Sequence, residues 1–268
     1  MALAHQTRTK KRKQRLTRRA LAIALALACV IALAYFFWPT IEYVSVRGGI
    51  VIVDGLYSLK PDFTDEVTDF ARATGMNVDV YKDSEVTVDL YRKLPALGYS
   101  LIVLRVHAGI LGRDADAPTF LFTNEPYEAE KYFIEQTTDQ ILGGKIDPNS
   151  SEEKSFFTVG PVFMTMSMKG SFNSSVVILS SCLGLFTNTT AETFVRKGAR
   201  AFVSWDEKVD LEHTDRACSL LLRLLLQEGK SLGEATEEVM ARVGQDRIYG
   251  SKLRYYPEDA TNVRIRLQ

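Results

Sequence analysis

Cysteine is scarce in this chain: three among 268 residues, at Cys29, Cys182 and Cys218. Two sulfurs after the first forty residues cannot staple so large a domain, so a disulfide scaffold is excluded, while a single Cys182–Cys218 bridge stays open. Histidine is equally rare, with three. His5 lies near the N-terminus, and His107 and His213 with one cysteine make a poor zinc set. We therefore expect neither a metal centre nor a cofactor. The sequence also has no Walker loop, no Gly-x-Gly-x-x-Gly after its first strand, although Val53-Asp54-Gly55 imitates the start of one, and no Gly-x-Ser-x-Gly. P-loop chemistry, dinucleotide binding and serine hydrolysis of the usual α/β type are set aside. There is no internal repeat, and no low-complexity stretch follows the N-terminal region.

Acidic residues are absent from residues 1–19, which hold eight basic ones. Charge of either sign is absent from Ala20 to Trp38, an apolar run closed by Pro39. Nineteen residues at the helical rise span about 28 Å, close to a hydrocarbon core. Tyr35, Phe36, Phe37 and Trp38 suit the far interface, and the basic flank argues for a cytoplasmic N-terminus. A cleaved signal has a shorter apolar core ending in small residues, so we expect a retained transmembrane helix at 20–38. A basic cytoplasmic segment at 1–19 precedes it, and a linker at 39–47 leads to an extracytoplasmic domain over 48–268. Sequons at Asn149, Asn173 and Asn188 fit a glycoprotein facing outward.

The formal net charge of zero conceals an asymmetry. Beyond residue 40 stand 25 basic and 33 acidic residues, a net charge of −8. Such a domain repels phosphate backbones, so no nucleic-acid partner is expected.

After the anchor, short β-branched runs alternate with amphipathic ones, the pattern of an α/β fold with a mostly parallel sheet and helices on both faces. Strands are expected at Gly49–Asp54, Val78–Tyr81, Leu101–Val106, Thr119–Thr123, Val176–Ser180 and Ala201–Trp205. A last strand region is expected in Arg254–Arg266. Helices are expected at Asp62–Thr74, Ser84–Leu97 (or an irregular turn there), Ala129–Leu142, Thr190–Lys197, His213–Gln227 and Leu232–Val243. Phe156–Met168 reads as one or two strands around Pro161. Unbroken apolar strands need cover on both faces, and right-handed crossovers put their C-terminal ends on one edge, where such sheets bind ligands. The residues just past those ends are Asp54, His107, Cys182 and Asp206.

His107 follows LIVLRV, and Cys182 follows VVILS. A thiolate is the reactive form of cysteine, and a neighbouring imidazole can generate it. Gly109 and Gly184 stand close behind, leaving room for backbone to approach a substrate and for amides to meet an oxyanion. Asp54 either lines the same edge or begins the turn before Gly55. His213 either reaches the site from the following helix or belongs to ordinary helix-capping chemistry.

A strand ending in His and a small residue before Gly, followed by a strand ending in Ser-Cys-x-Gly, resembles the caspase–hemoglobinase fold. That group includes caspases, metacaspases, gingipains and CHAT-type peptidases. Val176–Cys182, the helix at Thr190–Lys197, the turn Gly198-Ala199-Arg200-Ala201 and Val203-Ser204-Trp205-Asp206 are similar to prokaryotic caspase-like domains. The likeness covers about residues 48–245. It implies Cys182 as nucleophile, His107 as general base, an oxyanion hole from amides near Gly109 and Cys182, and Trp205 and Asp206 beside the substrate pocket. Asp206 would favour a basic substrate residue. The chain departs from the caspase pattern in lacking Gln-Ala-Cys-x-Gly and in placing Ala108 after the histidine. The two residues are also 75 positions apart, against roughly 50 in caspases. These departures argue against caspase-like preference for aspartate and require an insertion at about 119–173. The expected function is a membrane-anchored cysteine endopeptidase acting on a protein or peptide. The alternatives are a catalytically inactive ectodomain of the same fold that binds or signals, or a flavodoxin-like ligand sensor.

Overall fold

The computed structural model describes residues 25–31, 33, 42–45, 49–112, 116–147 and 154–266. The chain divides into two units, residues 1–40 and 41–268. In the first unit residues 25–31 are helical. The rest of the expected span over 20–38, residue 33 apart, lies outside the described residues, and among those described no helix is long and apolar enough to cross a membrane. Asn149 also falls outside them, while Asn173 and Asn188 are exposed.

The strands of the second unit begin with β1 (Glu42–Ser45), β2 (Ile50–Asp54), β3 (Val78–Lys82), β4 (Leu101–Arg105), β5 (Ala108–Ile110) and β6 (Thr119–Pro126). They continue with β7 (Ile141–Gly144), β8 (Phe156–Val159), β9 (Val176–Leu179), β10 (Ala201–Trp205), β11 (Leu253–Tyr256) and β12 (Val263–Arg266). The helices are α1 (Asp62–Ala73), α2 (Val88–Lys93), α3 (Phe133–Thr137), α4 (Pro161–Met166), α5 (Thr189–Arg196), α6 (Leu211–Leu226) and α7 (Leu232–Arg242).

Six strands form the main sheet in the order β11-β10-β9-β4-β2-β3. All neighbours run parallel except β11, which is antiparallel to β10. Every residue of β2, β4, β9 and β10 is buried, as expected for strands covered on both faces. Ile50 and Ile52 enter one core with Phe63 and Val67 of α1, Leu221 and Leu225 of α6, and Val239 of α7. Val51 and Val53 enter the other, with Tyr91 of α2, Phe163 of α4 and Phe194 of α5. Helix starts follow local chemistry. The Asp210 carboxylate accepts from the amides of Glu212 and His213 at the head of α6. Ser231 and Glu234 form a capping box on α7.

Between β4 and β9 the chain builds a second, antiparallel sheet, β5-β6-β8-β7. Here the sequence expectations need correction. The helix expected at Ala129–Leu142 is the short α3, and Ile141–Gly144 is instead a strand paired with β8. The strands expected through Phe156–Met168 stop at Val159, and Pro161 opens α4 as its first residue. A proline there gives up an amide that the first turn cannot use and brings a φ already suited to the helix. Gly144 is tightly enclosed, since a Cβ would meet the Phe122 ring at 2.8 Å. Outside both sheets, β1 and β12 pair in parallel.

Candidate functional site

In order of appearance, the parallel strands of the main sheet lie 2-1-3-4-5. The switch point, where such sheets place a ligand crevice, is between β2 and β4. That position is filled. The fully buried Arg105 donates through Nη1 to both carboxylate oxygens of Asp54 at 2.9 and 3.0 Å. Its Nε and Nη2 reach the two oxygens of Asp215 on α6, at 2.7 and 2.9 Å. Asp54 also accepts from the Thr64 hydroxyl at 2.6 Å and the Leu56 amide at 2.9 Å. Burial pushes the Asp54 carboxyl above its ordinary value even with Thr64, Arg105 and Leu56 acting against it. Burial disfavours the Arg105 cation, but Asp215 and Asp54 more than offset this and hold it charged. Asp54 is therefore spent on a buried ion pair and not on a ligand-binding edge.

One strand further along, the sheet opens. β4 and β9 pair directly up to Leu104 and Leu179, and the Ser180 amide donates to the Leu104 carbonyl at 2.8 Å. His107 and Cys182 each stand three residues past that last pair. Both line one cavity of about 700 Å³. Ala108, Gly109 and Ile110 of β5 line it, together with Leu183 and Phe186 after Cys182 and Glu207 and Lys208 after β10. Phe120 and Phe122 of β6, Leu142 and Gly144 of β7 and Thr158 of β8 contribute from the second sheet. The His107 ring is half-buried and meets Phe122 edge to face at 6.4 Å.

Cys182 is also half-buried. The Val209 amide donates to its sulfur at 3.4 Å, and the thiol faces the Val209 carbonyl at 3.6 Å. Burial pushes the thiol above its ordinary value, against the opposing pull of the Val209 hydrogen bond and the Lys208 charge. The next residue, Leu183, holds a left-handed backbone at φ 62°, unusual for a side chain of this size. Its amide donates to the Glu207 carbonyl at 2.9 Å, and its carbonyl accepts from the Thr119 hydroxyl at 2.6 Å. The sharp turn that presents Cys182 is thus pinned from two elements. Cys182 and Cys218 are free thiols, so the bridge left open by the sequence is not formed. Cys218, fully enclosed on α6, is pushed up to about 12 by burial.

Gly184 has another role than expected, and the Gly109 amide another direction. A Cβ on Gly184 would lie 2.1 Å from the Ser204 Oγ, so that glycine lets the turn pack on β10. The Phe122 amide donates to the His107 carbonyl, and antiparallel pairs alternate between bonded and unbonded. Gly109, two residues on and opposite Phe120, therefore turns its amide toward β6, away from an oxyanion. The backbone groups of Ala108 and Ile110 face the open edge of β5, which ends its sheet. The Cys182 amide donates to no other described residue.

Trp205, Asp206 and His213 do not line the cavity. Trp205 is buried, and its Nε1 donates to the Thr214 hydroxyl at 2.9 Å. The His213 ring packs against it at 5.2 Å and places Nε2 at 3.1 Å from the Gly244 carbonyl. The Asp206 carboxylate accepts the Lys252 amide at 2.7 Å. Each is engaged in holding the sheet edge and its loops together. Sequence reasoning missed Glu207 and Lys208, one and two residues further on, and the aromatic pair of β6. Phe120 and Phe122 alternate with Leu121, a spacing that puts both rings on one face of a strand. That signal was available. Among the described residues no cluster of three His, Cys, Asp or Glu side chains is placed to hold a metal ion. No protein-family model and no curated protein matches the chain.

Proposed function

We propose that this chain is a membrane-anchored cysteine endopeptidase of caspase-like fold, with Cys182 as nucleophile and His107 as general base. One observation carries the reading. A thiol and an imidazole, each three residues past the last rung between neighbouring parallel strands, line the same cavity. The main sheet and the order of β9, α5 and β10 support the fold assignment. The thiol is held neutral at rest, so the reaction calls for a base rather than a standing thiolate, and imidazole is the side chain suited to that near neutral pH.

An extended peptide adds to the open edge of β5 through the backbone groups of Ala108 and Ile110. Cys182 Sγ loses its proton to His107 and bonds to the substrate carbonyl carbon, while the oxyanion meets the Cys182 amide. The C–N bond then breaks, and the proton on His107 leaves with the amine. Water, deprotonated by His107, attacks the thioester. The acid product departs as the proton returns to sulfur. The run at 20–38 would hold the domain at the cell membrane on its outer side, and alkaline carbonate should leave the full chain in the membrane fraction.

A peptide carrying a thiol-directed electrophile should label Cys182, and His107→Ala should slow that labelling by about 100-fold or more. Absence of labelling on folded protein throughout about pH 5–9 would overturn the proposal. A second reading, an inactive ectodomain of the same fold, is favoured by the sulfur's seat between the amide and carbonyl of Val209. Under it, Cys182→Ser leaves the cellular role intact.

A further inference from the structure

We propose that the cavity beside Cys182 is a subsite for a large apolar side chain, a phenylalanine or leucine at the residue whose carbonyl the thiol attacks. This rests on the peptidase reading and adds the substrate class to it.

The walls are the first argument. Ile110, Phe120, Phe122, Leu142, Ile146 and Phe186 all face the space, whose 700 Å³ falls within the range of small-ligand sites. Charge is the second. Among the described lining residues only Lys145, Glu207 and Lys208 are charged, and all three are exposed. Glu207 and Lys208 are adjacent and opposite in sign, and Lys145 already interacts with another group. Among the described residues no buried charge lines the cavity to pair with an aspartate or an arginine, and burying an unpaired charge is strongly unfavourable. The buried hydroxyl in the wall is engaged as well. The buried Thr158 hydroxyl donates to the Leu142 carbonyl at 3.1 Å, so its proton is not free for a substrate group. The edge of β5 supplies the complement for the peptide backbone, and the cavity beside it takes one side chain.

The test uses the full chain and N-acetylated tetrapeptides with a fluorogenic leaving group, varied at the last residue through Phe, Leu, Ala, Asn, Asp and Arg. Phe and Leu should exceed Ala in kcat/KM by about 10- to 200-fold, with Asp and Arg lower still. In parallel, the same tetrapeptides as free acids are titrated against Cys182→Ala protein, where the order of affinity should be the same. If Asp or Arg is cleaved best in a Cys182-dependent reaction, the subsite is wrong and the peptidase stands. If no peptide is cleaved but Phe and Leu ends bind Cys182→Ala at least about tenfold tighter, the subsite stands and the peptidase falls. Equal affinity for all ends, or none, overturns the subsite. Ile146→Arg, at a partly exposed wall position, should cost Phe ends about tenfold and favour Asp ends. An unchanged order would also overturn it.

Discussion

At Cys182 the sulfur lies between the two backbone groups of Val209, and burial keeps its proton on. Alkylation by iodoacetamide, which needs the thiolate, should therefore be slow at neutral pH. Its rate should climb with a midpoint above the ordinary thiol value, and a midpoint at or below that value in a pH–rate series would contradict the geometry. Two residues on, Gly184→Ala would force a methyl group into Ser204. A loss of about 1–3 kcal/mol is expected from such overpacking, seen as a lower Tm. Asp246 gives a pH signature. Burial favours its neutral form, but the amides of Asp210, Tyr249 and Ile248 and the charge of His213 outweigh this and depress its pKa. A depressed carboxylate contributes stability above its unfolded pKa and loses it as pH falls through the folded one. Asp246→Asn should thus cost about 1–3 kcal/mol near neutrality. That deficit should shrink in acid, as urea titrations at several pH values would show.

At the scale of elements, the tips of β2 and β4 and the flank of α6 are joined through Arg105. Arg105→Met strands two buried carboxylates and should cost about 3–5 kcal/mol in denaturant titrations. Replacing Asp54 and Asp215 as well with apolar residues should recover much of it. Those same tips show where sequence reading ends. The main sheet was legible because its central strands β2, β4 and β9 are nearly unbroken apolar runs whose strongest local preference is a twice-covered strand. Asp54 looked like a ligand-edge residue because its partner Arg105 lies 51 residues on, and the second carboxylate on that guanidinium, Asp215 of α6, another 110; only folding brings them together. The second sheet was obscure for local reasons. β5 has three residues, β7 is half glycine, and Pro161 interrupts an apolar run that reads equally as strand or helix. The shared location of His107 and Cys182 was legible because it follows from strand order. The walls around them were not, since most come from that second sheet.

For the whole molecule, the division at residue 40 predicts that residues 41–268 expressed alone fold cooperatively, with coincident thermal transitions by far- and near-ultraviolet circular dichroism. A non-coincident pair would show that the unit does not unfold as one. Within it, the second sheet leaves the main one after His107 and returns before β9. Much of the cavity wall is therefore written in one uninterrupted stretch of chain, with the imidazole and the sulfur at its two borders, while Leu121, Phe157, Val159 and Phe163 of the same stretch share a core with Val51, Val53 and Leu179 of the main sheet. The cavity-facing side chains of such a cassette can be reshaped, whereas its inward-facing ones and Thr119 are tied to the scaffold, so diversification of this architecture would concentrate on the former and leave the two reactive tips where they are.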